Sequence, residues 1–122
     1  MLNLNQYIAN TEQHIKIITT DELRTQQRDD NIIIDVREPS EMDAGMIEGA
    51  IGIPRGVLEM QVLQHPCVND KQTSTPLHQR TIYLYCRSGA RSALAAFSLQ
   101  SMGFENVFSV SGGYQAWCAH SH

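Results

Sequence analysis

The sequence predicts an α/β domain built round a parallel sheet, and three observations carry that prediction. Ile32-Ile33-Ile34-Asp35-Val36 is β-branched and apolar at successive positions, which suits a strand covered on both faces. Thr81 to Tyr85 is the clearest further strand, and it leads through a short loop into a strongly helical segment. Strand and helix signals alternate along most of the chain, the pattern of strand–helix–strand units.

Taken in order, Met1 to His14 is an N-terminal extension, helical or mobile, which leaves residues 15–122 as the domain. Ile15-Lys16-Ile17-Ile18 is a short first strand, and Thr19 with Glu22 has the capping-box spacing that opens a helix. After the 32–36 strand, Arg37-Glu38-Pro39-Ser40-Glu41 enters a short helical stretch. Gly45 and Gly49 then punctuate the chain before a small strand, Ala50-Ile51-Gly52-Ile53, which Pro54 ends. Residues 55–63 have helical character.

Gln64 to Arg80 is a 17-residue stretch that mixes Pro66, Asn69, Asp70, Ser74, Thr75 and Pro76 without an apolar period. It reads as a surface connection, long for a compact domain. Beyond the 81–85 strand, Ala90, Ala93, Leu94 and Phe97 recur at helical spacing, and Ala96, Leu99 and Met102 widen the apolar face, so a well-buried helix is expected. Gly103 stops it. Val107-Phe108-Ser109-Val110 is another strand, and Ser111-Gly112-Gly113 turns the chain into a last helix over Tyr114-Gln115-Ala116-Trp117, where Tyr114 and Trp117 are expected to anchor it in the core.

Length and composition bound the function. A chain of 122 residues holds one α/β core, and 42% hydrophobic with 18% charged residues is ordinary for a soluble globular protein. A net charge of −4 argues against sequence-independent binding of nucleic acid, which needs a basic surface. The N-terminus has neither a basic leader nor a long apolar run, and no stretch is long enough to span a membrane, so a cytoplasmic protein is expected. Three cysteines, Cys67, Cys86 and Cys118, 19 and 32 positions apart, suggest neither a disulfide framework nor a CxxC site.

The chemistry concentrates in Cys86-Arg87-Ser88-Gly89-Ala90-Arg91-Ser92, at a strand-to-helix junction. A cysteine is nucleophilic as its thiolate, and a free thiol with a pKa of about 8.5 is mostly protonated at neutral pH, so something must stabilise the anion. Such a junction supplies successive backbone N–H groups and the positive end of a helix dipole, and Arg87 and Arg91 add two cations. Cys86 is therefore the candidate nucleophile rather than a small buried hydrophobe. Flanking it, Arg87 and Arg91 are candidates for binding an anionic substrate rather than ordinary solvated charges.

Cys67 reads as an incidental exposed thiol ahead of a second reactive sulfur, and Cys118 as packing or a fraying helix end. Asp35 and Arg37 read as a structural pair at a strand end, with Arg37 and Arg55 as further candidates to line the pocket. Arg55 is equally well read as a solvated helix-start residue. His14, His65, His78, His120 and His122 lack a tight ligand spacing apart from the terminal pair, where fraying is the better reading. No histidine base is assigned.

Four segments in order resemble the single-domain rhodaneses, or thiosulfate sulfurtransferases. Asp35-Val36-Arg37-Glu38-Pro39 resembles the family's D-V-R-E segment, Gly45 to Pro54 its G-H-I-P-G-A-I-x-I-P segment, Cys86 to Ser92 its catalytic loop, and Gly112 to Trp117 its closing G-G-x-x-x-W. Met46 stands where the family usually has histidine and Glu48 where it usually has proline, which bears on the local turn.

The resemblance implies a three-layer fold, a central parallel sheet with helices on both faces. It also implies sulfane-sulfur transfer from a donor such as thiosulfate to cyanide or a thiol through a Cys86 persulfide, cradled by the backbone of residues 87–92 and needing no metal or cofactor. The implied partners are a small anionic sulfur donor and a thiol or protein acceptor. A persulfide carrier or partner-binding module in a sulfur relay is the alternative. A phosphatase of the C-x5-R type places arginine six positions after cysteine, whereas Arg91 is five after Cys86, so the loop is one residue short for that pattern. A non-catalytic module of the family is disfavoured by the presence of Cys86.

Overall fold

The computed structural model describes residues 1–28, 30–69 and 73–120; Asp70 and His122, named above, lie outside them. Five strands form one parallel sheet: β1 (Lys16–Ile18), β2 (Ile32–Asp35), β3 (Ile51–Gly52), β4 (Thr81–Tyr85) and β5 (Asn106–Val110), in the order β1-β5-β4-β2-β3. Among the described residues, six α-helices accompany it: α1 (Leu4–Glu12), α2 (Thr20–Gln26), α3 (Pro39–Asp43), α4 (Leu58–Gln61), α5 (Ala90–Ser101) and α6 (Gly113–Ala119).

The alternation of side chains along each strand sorts the core into two layers. Ile32, Ile34 and Val36 join Ile82, Leu84 and Cys86 in one cluster with Leu58, Ala95, Ala96 and Leu99. Ile33, Tyr83 and Tyr85 join Ile18, Leu23 and Val110 in the other, against which Tyr114 and Trp117 pack. Helices α4 and α5 therefore cover one face, and α2 and α6 the other. Every residue of β2 is buried, as its unbroken apolar run requires. Cys86 continues the 82, 84 alternation, which fixes its side chain on the α5 face.

Two sequence expectations are corrected. The stretch 64–80 is not wholly a surface connection, because Val68 is 1% exposed and belongs to the core cluster, while Arg80 is 6% exposed. The Arg80 guanidinium donates four hydrogen bonds to the carbonyls of Asp30, Cys67 and Val68, which pins the segment to the sheet end. Second, α5 buries Ser92, Ala93, Ala95, Ala96 and Leu99 but leaves Phe97 46% exposed. Phe97 points to the side where α1 docks, and its ring meets His14 edge-on. The helical reading of 55–63 takes the form of α4 flanked by 3-10 turns at Arg55–Val57 and Val62–Gln64.

Residues 1–14 are mostly helix. Asn3 and Gln6 form a capping box at the start of α1, each side chain bonding the other's backbone N–H. The helix rests on α5, and β1, which follows it, closes the sheet edge beside β5.

The C-terminal end of β2 holds a buried ion pair. Asp35 is wholly buried and Arg37 is 4% exposed; their carboxylate and guanidinium meet in a bidentate contact of 2.7 to 3.1 Å, and Arg37 Nη2 also donates to the Gly45 carbonyl at 2.6 Å. Removing one partner of such a pair strands a charge away from water. Arg37→Met is expected to cost about 3–5 kcal/mol in urea unfolding; a loss below about 1 kcal/mol would show that the pair does not hold this junction.

Candidate active site

The site is the segment 86–92, a four-residue turn between β4 and α5 together with the first three residues of α5. At its root, the Tyr85 carbonyl accepts from the Val36 N–H at 2.9 Å. Its phenol is buried, accepts from the Ile47 N–H at 3.0 Å and is pushed up in pKa, by burial above all, so it stays a neutral strut.

The next two carbonyls are turned outward. Tyr114 and Gln115, in the first turn of α6, donate their N–H groups to the Cys86 and Arg87 carbonyls at 2.8 and 3.1 Å. Because a trans peptide holds its N–H opposite its C=O, the N–H groups of Arg87 and Ser88 face away from α6. Gly89 then reverses the chain with φ of +116° and aims its own N–H at Cys86 Sγ, 3.1 Å away. Helix α5 begins at the next residue, and its first-turn N–H groups have no intrahelical carbonyl to bind. The positive end of a 12-residue helix thus borders the sulfur.

Cys86 is 1% exposed. Its Sγ lies 3.6 Å from Ser92 Oγ, which itself lies 3.1 Å from the Gly89 carbonyl and 2.9 Å from Ser109 Oγ on β5. The sulfur is thus met by a backbone donor and a hydroxyl.

The two arginines have different fates. Arg91 forms a two-pronged ion pair with Glu41 of α3, at 2.7 and 3.0 Å. That hydrogen bond, ahead of every other influence, holds the Glu41 carboxyl at about 2, and it likewise raises Arg91. Cys86 adds a smaller upward pull on Arg91, so the pair is electrostatically within reach of the sulfur. The Arg87 side chain is exposed and, among the described residues, forms no ion pair. Ser88 is exposed too, while Ala90 is half-buried.

The other candidates sit apart from this ring. Arg37 is committed to Asp35 and Gly45, with its guanidinium 4.4 Å from the Tyr114 ring centre, so it steadies α6. Arg55 pairs with Glu59 at 2.8 Å. Cys67 and Cys118 are exposed, and Cys118 hydrogen-bonds the Tyr114 phenol. Trp117 lies beneath the Arg24 guanidinium at 3.8 Å and ties α6 to α2. Among the described residues, no group of three or more His, Cys, Asp or Glu side chains could hold a metal ion. No described helix is long and apolar enough to cross a membrane.

Glu41, Ser109 and Gly113 serve the site without having been read from the sequence. Glu41 carries only a local signal, since its side chain also binds the Glu38 N–H and caps α3; its partner is 50 positions away. Gly113 was legible as half of a turn, but its reason is contact: a Cβ there would lie 2.4 Å from the Cys86 carbonyl oxygen.

A cavity of about 200 Å³ flanks the turn, bounded by Ile8 and Glu12 of α1, Ile17, Ser88, Gly89 and Ser109 among others. The N-terminal helix thereby forms a wall beside the loop.

The Rhodanese-like domain model matches residues 19–120. A protein of Allochromatium vinosum named a sulfurtransferase is 31% identical over 97 residues, covering 80% of each chain. The structure of a Rhodopseudomonas palustris protein of unknown function, described as a possible tyrosine phosphatase, superposes with a TM-score of 0.78 at 29% identity, over 98% of this chain and 91% of that one. The human single-domain sulfurtransferase does so with a TM-score of 0.73 at 25% identity, over 87% and 97%.

Two outcomes follow from the geometry. Gly113→Ala, at φ of +56° and against the loop backbone, is expected to lower the melting temperature and slow alkylation of Cys86 by iodoacetamide, whereas Gly56→Ala, in open space, leaves both unchanged. Equal behaviour of the two variants would remove Gly113 from the site.

For Glu41, the folded carboxyl is held at about 2, below its unfolded value near 4.5. Its stabilisation is therefore present in full above about pH 4.5 and lost as pH falls through about 2. The stability gap between wild type and Glu41→Gln should stay constant from pH 5 to 7 and shrink below pH 4.5; a gap that widened on acidification would contradict the pairing.

Proposed function

Since the chain belongs to the rhodanese family, we propose that it is a sulfurtransferase whose Cys86 carries sulfane sulfur as a persulfide. The Cys86 thiolate attacks the outer sulfur of thiosulfate, the donor's S–S bond breaks, and sulfite leaves with its electron pair. Cys86–S–S⁻ remains. An acceptor such as cyanide or a thiolate attacks the terminal sulfur and restores the Cys86 thiolate.

The observation that carries this reading is the disposition of charge round the loop. Arg91 is bound to Glu41, so the polar groups nearest Sγ are the Gly89 N–H, which donates to it, and the Ser92 hydroxyl 3.6 Å away. A phosphoryl group asks for a forked guanidinium on two oxygens. A single sulfur anion asks for several convergent N–H groups over a small radius, placed before the charge arrives. The terminal sulfur would lie about 2.05 Å beyond Sγ, within reach of the first-turn N–H groups of α5. Hydrogen bonds to an anion contribute about 1.5–3 kcal/mol each, enough for two or three to hold a persulfide at neutral pH.

This favours sulfur transfer over the phosphatase reading that one structural neighbour's description carries. Arg87, exposed and forming no ion pair among the described residues, is the group we assign to orienting a dianionic donor. The same loop could be loaded by another protein's persulfide, as a relay would require; the donor in the assay distinguishes the two.

Incubation with thiosulfate should add one sulfur atom to the intact mass, and cyanide should remove it as thiocyanate, with Cys86→Ala inert in both. Arg87→Met should raise KM for thiosulfate about five- to tenfold with little change in kcat, the mark of lost ground-state binding. Loading from a protein persulfide but not from thiosulfate would move the protein into the relay class. Aryl phosphate hydrolysis without sulfur uptake would overturn the proposal.

A further inference from the structure

Beneath the sulfur lies a hydroxyl pair that the reaction as written leaves unexplained. Ser92 is wholly buried and Ser109 is 3% exposed, and their oxygens are 2.9 Å apart. Ser92 Oγ has three neighbours: Cys86 Sγ at 3.6 Å, the Gly89 carbonyl at 3.1 Å and Ser109 Oγ. A hydroxyl has one hydrogen and two lone pairs, and that count constrains the network.

In the thiol state, Cys86 S–H donates to Ser92, Ser92 donates to the Gly89 carbonyl, and Ser109 donates to the second lone pair of Ser92. Every capacity of Ser92 is then used. When Cys86 loses its proton to solvent, Sγ has nothing to donate and needs a donor. Ser92 can supply one by turning its single hydrogen from the Gly89 carbonyl to the sulfur. The Gly89 carbonyl gives up this bond but keeps the Ala93 N–H at 3.1 Å, and Ser92 stays fully bonded provided that Ser109 keeps donating to it. Were the Ser92 hydrogen drawn toward Ser109 instead, the sulfur would keep only the Gly89 N–H. Donation by Ser109 also polarises the Ser92 O–H, which strengthens its bond to an anion.

We propose that Ser109 is a positioning residue for sulfur transfer: by donating to Ser92, it reserves the Ser92 hydrogen for the Cys86 anion. The register of the sheet makes this possible. Ser109 pairs with Leu84 of β4, two residues before Cys86, so β5 brings a hydroxyl under the loop, where Ser109 is 3% exposed. The charged groups round the network are Arg87 in the loop, Arg91 of α5 with Glu41 of α3 behind it, and Glu12 of α1 across the cavity. A change at Ser109 alters none of their charges.

The inference rests on Cys86 reacting as an anion, so its test uses a reagent that asks nothing of the sulfur donor. Alkylation of Cys86 by iodoacetamide at pH 7.5, followed at peptide level to separate it from the exposed Cys67 and Cys118, is measured in Ser109→Ala, Ser92→Ala, the double variant and Ser109→Thr. We expect Ser109→Ala to slow alkylation about five- to tenfold, Ser109→Thr to return it to within about twofold of wild type, and the two alanine changes to be non-additive. In the Ser92→Ala background, Ser109→Ala then has no further effect.

Melting temperatures of all four variants separate this role from general loosening. A slowed Ser109→Ala that Thr does not rescue, or effects that multiply in the double variant, would overturn the proposal. So would an unchanged rate in Ser109→Ala. Failure of thiosulfate to load the wild type would count against the proposed donor and leave this measurement standing.

Discussion

Two hydrogen bonds decide the character of this protein: the N–H groups of Tyr114 and Gln115 in α6 hold the carbonyls of Cys86 and Arg87. Each contributes only about 0.5–1.5 kcal/mol to stability. Their direction matters more. A planar peptide cannot turn its carbonyl one way without turning its N–H the other, so a clamp from α6 leaves the N–H groups of Arg87 and Ser88 facing away from that helix. The contact is possible because residue 113 has no side chain.

Much of the remaining structure holds that clamp in place. The Asp35–Arg37 pair carries the Arg37 guanidinium against the Tyr114 ring, while Tyr114 stacks on Tyr85 with centroids 6.1 Å apart. Arg24 and Trp117 fasten the other end of α6 to α2. On the opposite side of the loop, Glu41 caps α3 and fixes Arg91. Electrostatics thus does two separate jobs here. Paired charges set the geometry, and the neutral dipoles of backbone and hydroxyl face the sulfur.

The sequence made the scaffold legible where one face or both of an element are buried. The run 32–36, the strand 81–85 and the alternating helix signals follow from burial, because a parallel strand leaves no polar face to confuse the period. Legibility failed where a residue answers to a distant partner. Arg80 looked like the end of a surface stretch, yet its donors close on the Asp30 carbonyl before β2 and on the Cys67 and Val68 carbonyls at the far end of its own stretch. Phe97 had the right spacing for the core but faces α1, which lies outside the resemblance. At the site, Cys86 and its loop could be named from local chemistry alone. The tethering of Arg91 by Glu41, and the hydroxyl of Ser109 under Ser92, depend on which strands and helices become neighbours, and no local pattern encodes that.

The central claim is that the loop between β4 and α5 is a preformed cradle for one sulfur anion. A crystal structure of the thiosulfate-treated protein tests it most directly. Density is expected for one extra atom on Cys86 Sγ, ringed by N–H groups of the 87–92 loop, with Arg91 still on Glu41 and the Tyr114 and Gln115 bonds unbroken. A sulfur atom bound elsewhere, or one held only after Arg91 leaves Glu41 to meet it, would contradict it.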